Sequence, residues 1–282
     1  MGDYEIALGA STFIKQAIDL RPDVGIVCGS GLGDIVDLVE DKQVLKYTDI
    51  PGFPVCTVSG HGGCFVFGRM GGKNVCVMKG RFHPYEGYSY REVARPIRVM
   101  KLLGVKTLIV TNVAGGVDLS FKIGDIMIIE DHVDFASMVG RNPLMGPNDE
   151  RFGIRFPSMT GAYDKELRAV AHQCADEMGL GDVVRDGVYF YLAGPVYETP
   201  ATSRILRGLG CGTVSMSTTA EVITARHLGL RVLGLSLVVD LAPVGQADDA
   251  VGPTHEEVLS VANSRSLVVA KLIEAVLRRI TV

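Results

Sequence analysis

No apolar run in this chain of 282 residues reaches the roughly 18 needed to cross a bilayer, so a membrane-spanning helix is excluded. The N-terminal Met-Gly-Asp-Tyr-Glu-Ile is acidic, unlike a signal peptide, and lacks the Ser or Thr at position six that myristoylation favours. Basic excess is absent too. A formal net charge of −4 leaves no footprint for nucleic acid or an acidic membrane. There is no Cys-x-x-Cys, and the six histidines show no ligand spacing with the six cysteines (Cys28, Cys56, Cys64, Cys76, Cys174, Cys211). Scattered through apolar runs, these read as reduced, hydrophobe-like cysteines of a cytoplasmic protein. No repeat, low-complexity tract or composition break divides the chain, so residues 1–282 read as one domain. A hydrophobic fraction of 47% and a mean hydropathy of +0.26 imply a substantial core, and chains of this size bury roughly three quarters of their unfolded surface.

What is present is an alternation of helices and strands, which argues for an α/β domain with a mostly parallel or mixed sheet. An amphipathic helix over 4–20 precedes a short apolar strand, 24–28. That strand runs into Gly29-Ser30-Gly31-Leu32-Gly33-Asp34 and a helix to about Glu40. Strands at 63–69 and 73–79 read as a hairpin turning at Gly71-Gly72. Ser89-x-x-Glu92 is a capping box for a helix over 90–103, stopped at Gly104. A buried strand, 106–111, ends in Asn112-Val113-Ala114-Gly115-Gly116, and another spans 124–130. Residues 134–160 are aperiodic, and a loop that long is usually functional or packed on a partner. A helix over 162–178, a strand over 187–193, and a helix capped by Thr199 with Pro200 at its first position follow. Then come a short strand at 211–214, a helix capped by Thr218-x-x-Glu221, and a last core strand, 231–239, ending at Asp240. After a disorder-prone 242–253, Thr254-x-x-Glu257 caps a terminal helix with His255 at its first position.

The chemistry concentrates at Gly80-Arg-Phe-His-Pro-Tyr-Glu-Gly-Tyr88. Arg81 offers a planar fork of donors suited to an oxyanion, and His83 can add another. Pro84 fixes its own φ and pushes His83 toward an extended conformation, so both basic side chains are held. Taken by itself the stretch also fits a surface loop with a solvated arginine. The strand, glycine-rich turn and helix start around Ser30 make a second anion site, because free N–H groups converge there. Asp34 stands where a dinucleotide fingerprint needs its third glycine, which weakens a dehydrogenase reading. Ser59-Gly60-His61-Gly62-Gly63 is a glycine-flanked loop carrying a histidine. Met216 alone reads as core, Asp240 alone also fits a helix cap or loop carboxylate, and His132 and His227 read as structural.

In order along the chain, Cys28–Gly33, Gly60-His61, Gly80–Tyr88, Thr111–Gly116, Gly146–Gly153, Gly194-Pro195, Tyr197-Glu198, Met216–Thr218, Glu221-Val222 and His255–Val258 together resemble the trimeric purine nucleoside phosphorylases and their methylthioadenosine phosphorylase relatives. The resemblance implies a central mixed, partly barrel-like β-sheet surrounded by helices. It implies cleavage of a purine (deoxy)ribonucleoside by phosphate to free base and (deoxy)ribose 1-phosphate, in cytoplasmic salvage. It further implies a homotrimer and no cofactor beyond phosphate as co-substrate. Ser30, Arg81, His83, Asn112, the Val113 backbone N–H and Ser217 would hold phosphate, with His61 in the loop on that side. Tyr85 and Met216 would line the ribose, His255 would meet its 5′-hydroxyl, and Phe156 would cover the ribose of a neighbouring subunit. Tyr197, Val214 and Val239 would pack on the base, and Glu198 with Asp240 would bind its edge. His83, Glu198, Asp240 and His255 would be the catalytic groups.

Such a reaction builds positive charge on the sugar, which a phosphate dianion below the ring can stabilise before capturing C1′. Members preferring 6-oxopurines usually carry Thr-Asn where this chain has Val239-Asp240. An ionised Asp accepts only, which suits a 6-amino base; a protonated one could donate to N7. Glu198 instead suits the N1–H of a 6-oxopurine, and His255 a 5′-hydroxyl. The expectation is therefore a phosphorylase with base choice broadened by Asp240. A methylthioadenosine phosphorylase and a non-catalytic nucleoside or phosphate binder are the alternatives.

Overall fold

The computed structural model describes residues 2–58, 62–243, 245, 252 and 254–282. In chain order the elements are α1 Asp3–Ala17, β1 Val24–Val27, β2 Glu40–Lys46, β3 Cys64–Met70, β4 Lys73–Lys79, α2 Tyr90–Val93, α3 Arg95–Leu103, β5 Thr107–Gly116, β6 Ile126–Asp134, α4 Phe135–Met138, α5 Lys165–Glu177, β7 Val184–Tyr191, α6 Pro200–Gly208, β8 Cys211–Ser215, α7 Thr219–His227, β9 Arg231–Leu241 and α8 His255–Arg279. The sheet is mixed and runs β2-β3-β4-β1-β5-β8-β7-β6-β9, and β9 returns to pair with β5. Strands β5, β8, β7, β6 and β9 thus close into a five-stranded barrel, and β2, β3, β4 and β1 extend it on one side.

Helices cover both faces, and the apolar side chains sort accordingly. Ala7, Ile14, Ile97 and Val222 carry α1, α3 and α7 onto one face. Leu167, Ala171, Ala262, Val269 and Ile273 carry α5 and α8 onto the other. The fully buried β1, unbroken by a polar residue, reflects that double cover.

Four local departures from the sequence pattern have physical causes. The helix expected after Gly33 is a 3-10 segment, Gly33–Leu38. Strand β2 was not expected, because its Glu-Asp-Lys-Gln-Val-Leu-Lys is mostly polar; it is an edge strand with one partner and an exposed face. The 90–103 helix divides at Ala94 into α2 and α3, since Pro96 has no N–H and its ring opposes the carbonyl four residues back. The buried strand expected to end at Asn112–Gly116 instead runs through it: these residues are the second half of β5, paired with β9 throughout.

That extension positions the site. β1 pairs with β5 only as far as Val27–Val110. Beyond that point β5 leaves β1 and stays with β9, and at Gly115–Gly116 it takes β8 as a neighbour. A register shift opposite Ala114–Gly115 makes Val239 the extra residue of β9 and sets Asp240 beside Gly115. At the divergence Gly29 lies against β5: its N–H donates to Thr111 Oγ1 at 3.0 Å, and a Cβ there would sit 2.8 Å from Asn112 Cα. Gly29→Ala should therefore cost about 1–3 kcal/mol by overpacking two backbones; urea unfolding that matches the native protein would show that the close approach is not required.

Candidate active site

Where β1 and β5 part, a cavity of about 350 Å³ opens. It gathers Ser30, Arg81, His83, Tyr85, Asn112, Val113, Tyr197, Glu198, Val214, Met216, Ser217, Val239, Asp240 and His255. These residues come from segments spread across most of the chain. Phe156 does not line this cavity; it projects outward, 85% exposed. His61 lies outside the described residues, as does most of 242–253. Val58, Ala114, Gly115, Leu192, Pro195, Ser215 and Val258 also contribute walls, and nothing in their residue types signals it.

One end of the cavity is built for an anion. Arg81 is 1% exposed, and β5, α7 and the turn that precedes α7 grip its guanidinium. Nε donates to Glu221 Oε1 at 2.9 Å, and Nη1 donates to the Thr111 carbonyl at 2.8 Å and to Ser217 Oγ at 3.1 Å. Tyr189 OH in turn donates to the Ser217 carbonyl at 2.7 Å. His83 is fixed by Glu86, whose Oε1 accepts from the His83 backbone N–H at 2.8 Å and lies 2.9 Å from Nδ1. Thr57 donates to Glu86 Oε2 through its N–H at 2.9 Å and its hydroxyl at 2.6 Å. Burial opposes ionisation of Glu86, but the hydrogen bonds from His83 and Thr57 outweigh it and hold its carboxyl down at about 2. Asn112 spends its side chain inside the fold: Nδ2 donates to Thr218 Oγ1 at 3.0 Å, and Oδ1 accepts from Ser236 Oγ at 2.6 Å.

The capping box expected at Thr218–Glu221 does not form. Thr218 adopts φ 81° and makes no side-chain cap. Glu221 turns inward to Arg81 instead, and its side chain is only 2% exposed. The S/T-x-x-E pattern fits both outcomes, so only the tertiary fold distinguishes them. Glu86 carried a readable signal, three residues after His83 and within the same loop.

The middle and far end differ in character. The Tyr85 ring stacks on His83 with centroids 4.6 Å apart and planes 12° from parallel. Gly194, at φ +66°, brings backbone within reach of both walls; a Cβ there would meet Met216 Sδ at 2.6 Å and Tyr85 Cδ1 at 3.0 Å. At the far end two carboxylates flank Gly115. A Cβ on Gly115 would lie 3.1 Å from Asp240 Oδ2 and 3.5 Å from Glu198 Oε1, so the acids share the space a side chain would fill. Burial, and then the charge of Glu198, push Asp240 up to about 6. Burial also raises Glu198 above the usual carboxylate range, and burial with the charges of Asp240 and Glu198 raises Tyr197. Among the described residues no His/Cys/Asp/Glu group is arranged to hold a metal, and no helix is long and apolar enough to cross a membrane.

Residues 23–278 match the phosphorylase superfamily. The chain belongs to that superfamily. Its relatives in the phosphorylase superfamily include the purine nucleoside phosphorylase of Mus musculus, 44% identical over 278 residues that cover 99% of this chain and 95% of the relative. Purine nucleoside phosphorylase 1 of Bacillus subtilis is 48% identical over 267 residues, covering 95% and 96%. Among solved structures, Schistosoma mansoni purine nucleoside phosphorylase in complex with adenosine superposes with a TM-score of 0.95 at 44% identity, covering 99% of this chain and 98% of that one. Isoform 2 from the same organism, in complex with cytosine and ribose-1-phosphate, gives 0.94 at 43% identity, covering 99% and 98%. The phosphorylase fold, including its closed barrel, is thereby established for this chain.

A stability consequence follows from the paired acids. Asp240 titrates near 6 in the folded protein and near 3.9 when unfolded. Folding is therefore penalised as pH rises from about 4 to 6, and the penalty stays full above that. Asp240→Asn should raise stability at pH 7.5 by about 3 kcal/mol and change it little at pH 4. Equal effects at the two pH values in denaturant titrations would contradict this.

Proposed function

We propose that the chain catalyses phosphorolysis of purine nucleosides, including their deoxy forms, to free base and pentose 1-phosphate in nucleoside salvage. The observation that carries this reading is a single cavity with an anion-gripping end, Arg81, His83 and Ser217, opposite a pair of carboxylates, Glu198 and Asp240. Phosphate sits among Ser30, Arg81, His83, Asn112, the Val113 N–H and Ser217, and we assign His61, outside the described residues, to the same phosphate. Tyr85 and Met216 bracket the sugar and His255 meets its 5′-hydroxyl, a polar partner that favours hydroxyl over methylthio substrates. Tyr197, Val214 and Val239 hold the base by its faces.

In the reaction a phosphate oxygen bonds to C1′ as the C1′–N9 bond breaks, and the electron pair leaves with the purine. The sugar passes through an oxocarbenium-like state that the phosphate charge stabilises. Positioning and electrostatics supply the acceleration, so phosphate is a co-substrate and no metal or organic cofactor is needed. Asp240 sets the base preference. Protonated, it donates to N7 or a 6-oxo group; ionised, it accepts from a 6-amino group. With Asp240 titrating near 6, 6-oxopurines are favoured below that pH and 6-aminopurines gain above it.

The working form we assign is a cytoplasmic homotrimer. All six cysteines are free thiols, as a reducing compartment allows. Met138, Val139, Met145, Ile154 and Phe156 stand exposed along the 135–156 segment, an apolar patch of the kind that marks a protein interface. Phe156, outside its own chain's cavity, closes the neighbour's.

Base release from inosine and from adenosine should depend on added phosphate and on nothing else; release without phosphate, or none at all, refutes the activity. In the same assay the inosine-to-adenosine ratio of kcat/KM should fall roughly tenfold between pH 5 and 7.5, as a mismatch of about 1–3 kcal/mol implies, and should stay flat in Asp240→Asn. A ratio that shifts equally in both proteins removes Asp240 from base selection. Phe156→Ala should raise nucleoside KM several-fold and leave phosphate KM near native, in a species that sediments as three chains of 30.2 kDa; a native protein sedimenting as a single chain would end the trimer assignment.

A further inference from the structure

We infer that Glu221 is a positioning residue for phosphate use: it acts by holding the Arg81 guanidinium through Nε, and it acts through reach more than through charge. The inference rests on Arg81 belonging to the phosphate end of the cavity, as proposed above. Glu221 Oε1 lies 2.9 Å from Arg81 Nε, and both side chains are almost completely buried. The other carboxylate oxygen, Oε2, has no hydrogen-bond partner among the described residues, so Arg81 is the contact that orients this acid. A hydrogen bond between ionised partners is shorter and about twice as strong as a neutral one.

The element that carries Glu221 is rigid. In α7 the residues Thr219 to Ala225 are all buried, and helix α7 packs on α3 and β9. Its start is pinned as well, since Tyr189 OH donates to the Ser217 carbonyl at 2.7 Å. A side chain on such a helix cannot advance to recover a lost contact. Nη1 is simultaneously held by Thr111 and Ser217, and the Nε contact adds a second point of hold that fixes the guanidinium plane. Without it Arg81 keeps its charge near the anion but loses its angle to it, and bidentate recognition of a tetrahedral oxyanion depends on that angle.

Two conservative variants separate reach from charge. Glu221→Asp keeps the charge but withdraws the carboxylate by roughly 1.5 Å, one carbon–carbon bond. Glu221→Gln keeps the reach and an acceptor oxygen but loses the charge. Phosphate KM should rise at least tenfold in Glu221→Asp and about three- to fivefold in Glu221→Gln, with nucleoside KM within twofold of native in both. Melting temperatures, measured in parallel, should not track that order. Phosphate KM near native in Glu221→Asp overturns the inference, as does a parallel rise of both KM values. If Glu221→Asp does not fold, Glu221→Gln decides, because a phosphate KM at or below native would mean the added positive charge outweighs the lost hold. Arg81→Gln is the control on the underlying reading. A native phosphate KM there would remove Arg81 from the phosphate site, whereas a large rise there beside native-like Glu221 variants would sink only the role of Glu221.

Discussion

Pairing between β5 and β9 is the constraint on which the molecule depends. The two run parallel from Thr107–Arg231 to Gly116–Leu241, and this contact turns an open sheet into a barrel. It also forces β5 to abandon β1 after Val110, since no strand can keep three neighbours along its full length. The cavity is the space left by that departure, at the carboxyl ends of parallel strands, where open α/β sheets bind their ligands. The irregularity at Val239 completes it by rotating Asp240 to the side of Gly115.

Each end of the cavity solves a different electrostatic problem. At the anion end, Glu221 and Glu86 stand behind Arg81 and His83, so each donor is held by a carboxylate of its own. At the base end, Glu198 and Asp240 have no such partners among the described residues; burial raises the proton affinity of both, and the charge of Glu198 raises that of Asp240 further. Such a pair costs folding energy as pH rises past about 4, and the cost is full above about 6. Its retention is understandable if a ligand, rather than the fold, satisfies it.

Much of this was legible in the sequence, for a physical reason. Loops with fixed residues at turns and strand ends, such as Gly29–Gly33 and Arg81–Tyr85, carry chemistry that local spacing records. Nearly every residue expected in the site lines the one cavity. What local spacing does not record is tertiary competition. Thr218 and Glu221 have the spacing of a cap, yet burial beside Arg81 claims the carboxylate. Asn112 reads from the sequence as a strand-end residue, yet it lies mid-strand, and its amide is bonded to Thr218 and Ser236. Strand β2 has almost no apolar alternation because it needs none, having one partner and a solvated face. Residues 134–160 lack periodicity, and Met138, Val139, Met145, Ile154 and Phe156 stand exposed among them, so no apolar stripe of one period runs through the segment.

Closure of the barrel also settles how this sheet meets other chains. Among the described residues every strand but β2 has neighbours on both sides, so their nine-stranded sheet presents a single open edge. That edge is Glu40-Asp41-Lys42-Gln43-Val44-Leu45-Lys46, with Asp41 at φ 52° and an irregularity between Glu40 and Gln43. Charges and a bulge are the devices that keep edge strands from adding a stranger's backbone. Among the described residues the fold thus confines its exposure to runaway strand addition to the seven residues of β2, a mostly polar and charged strand.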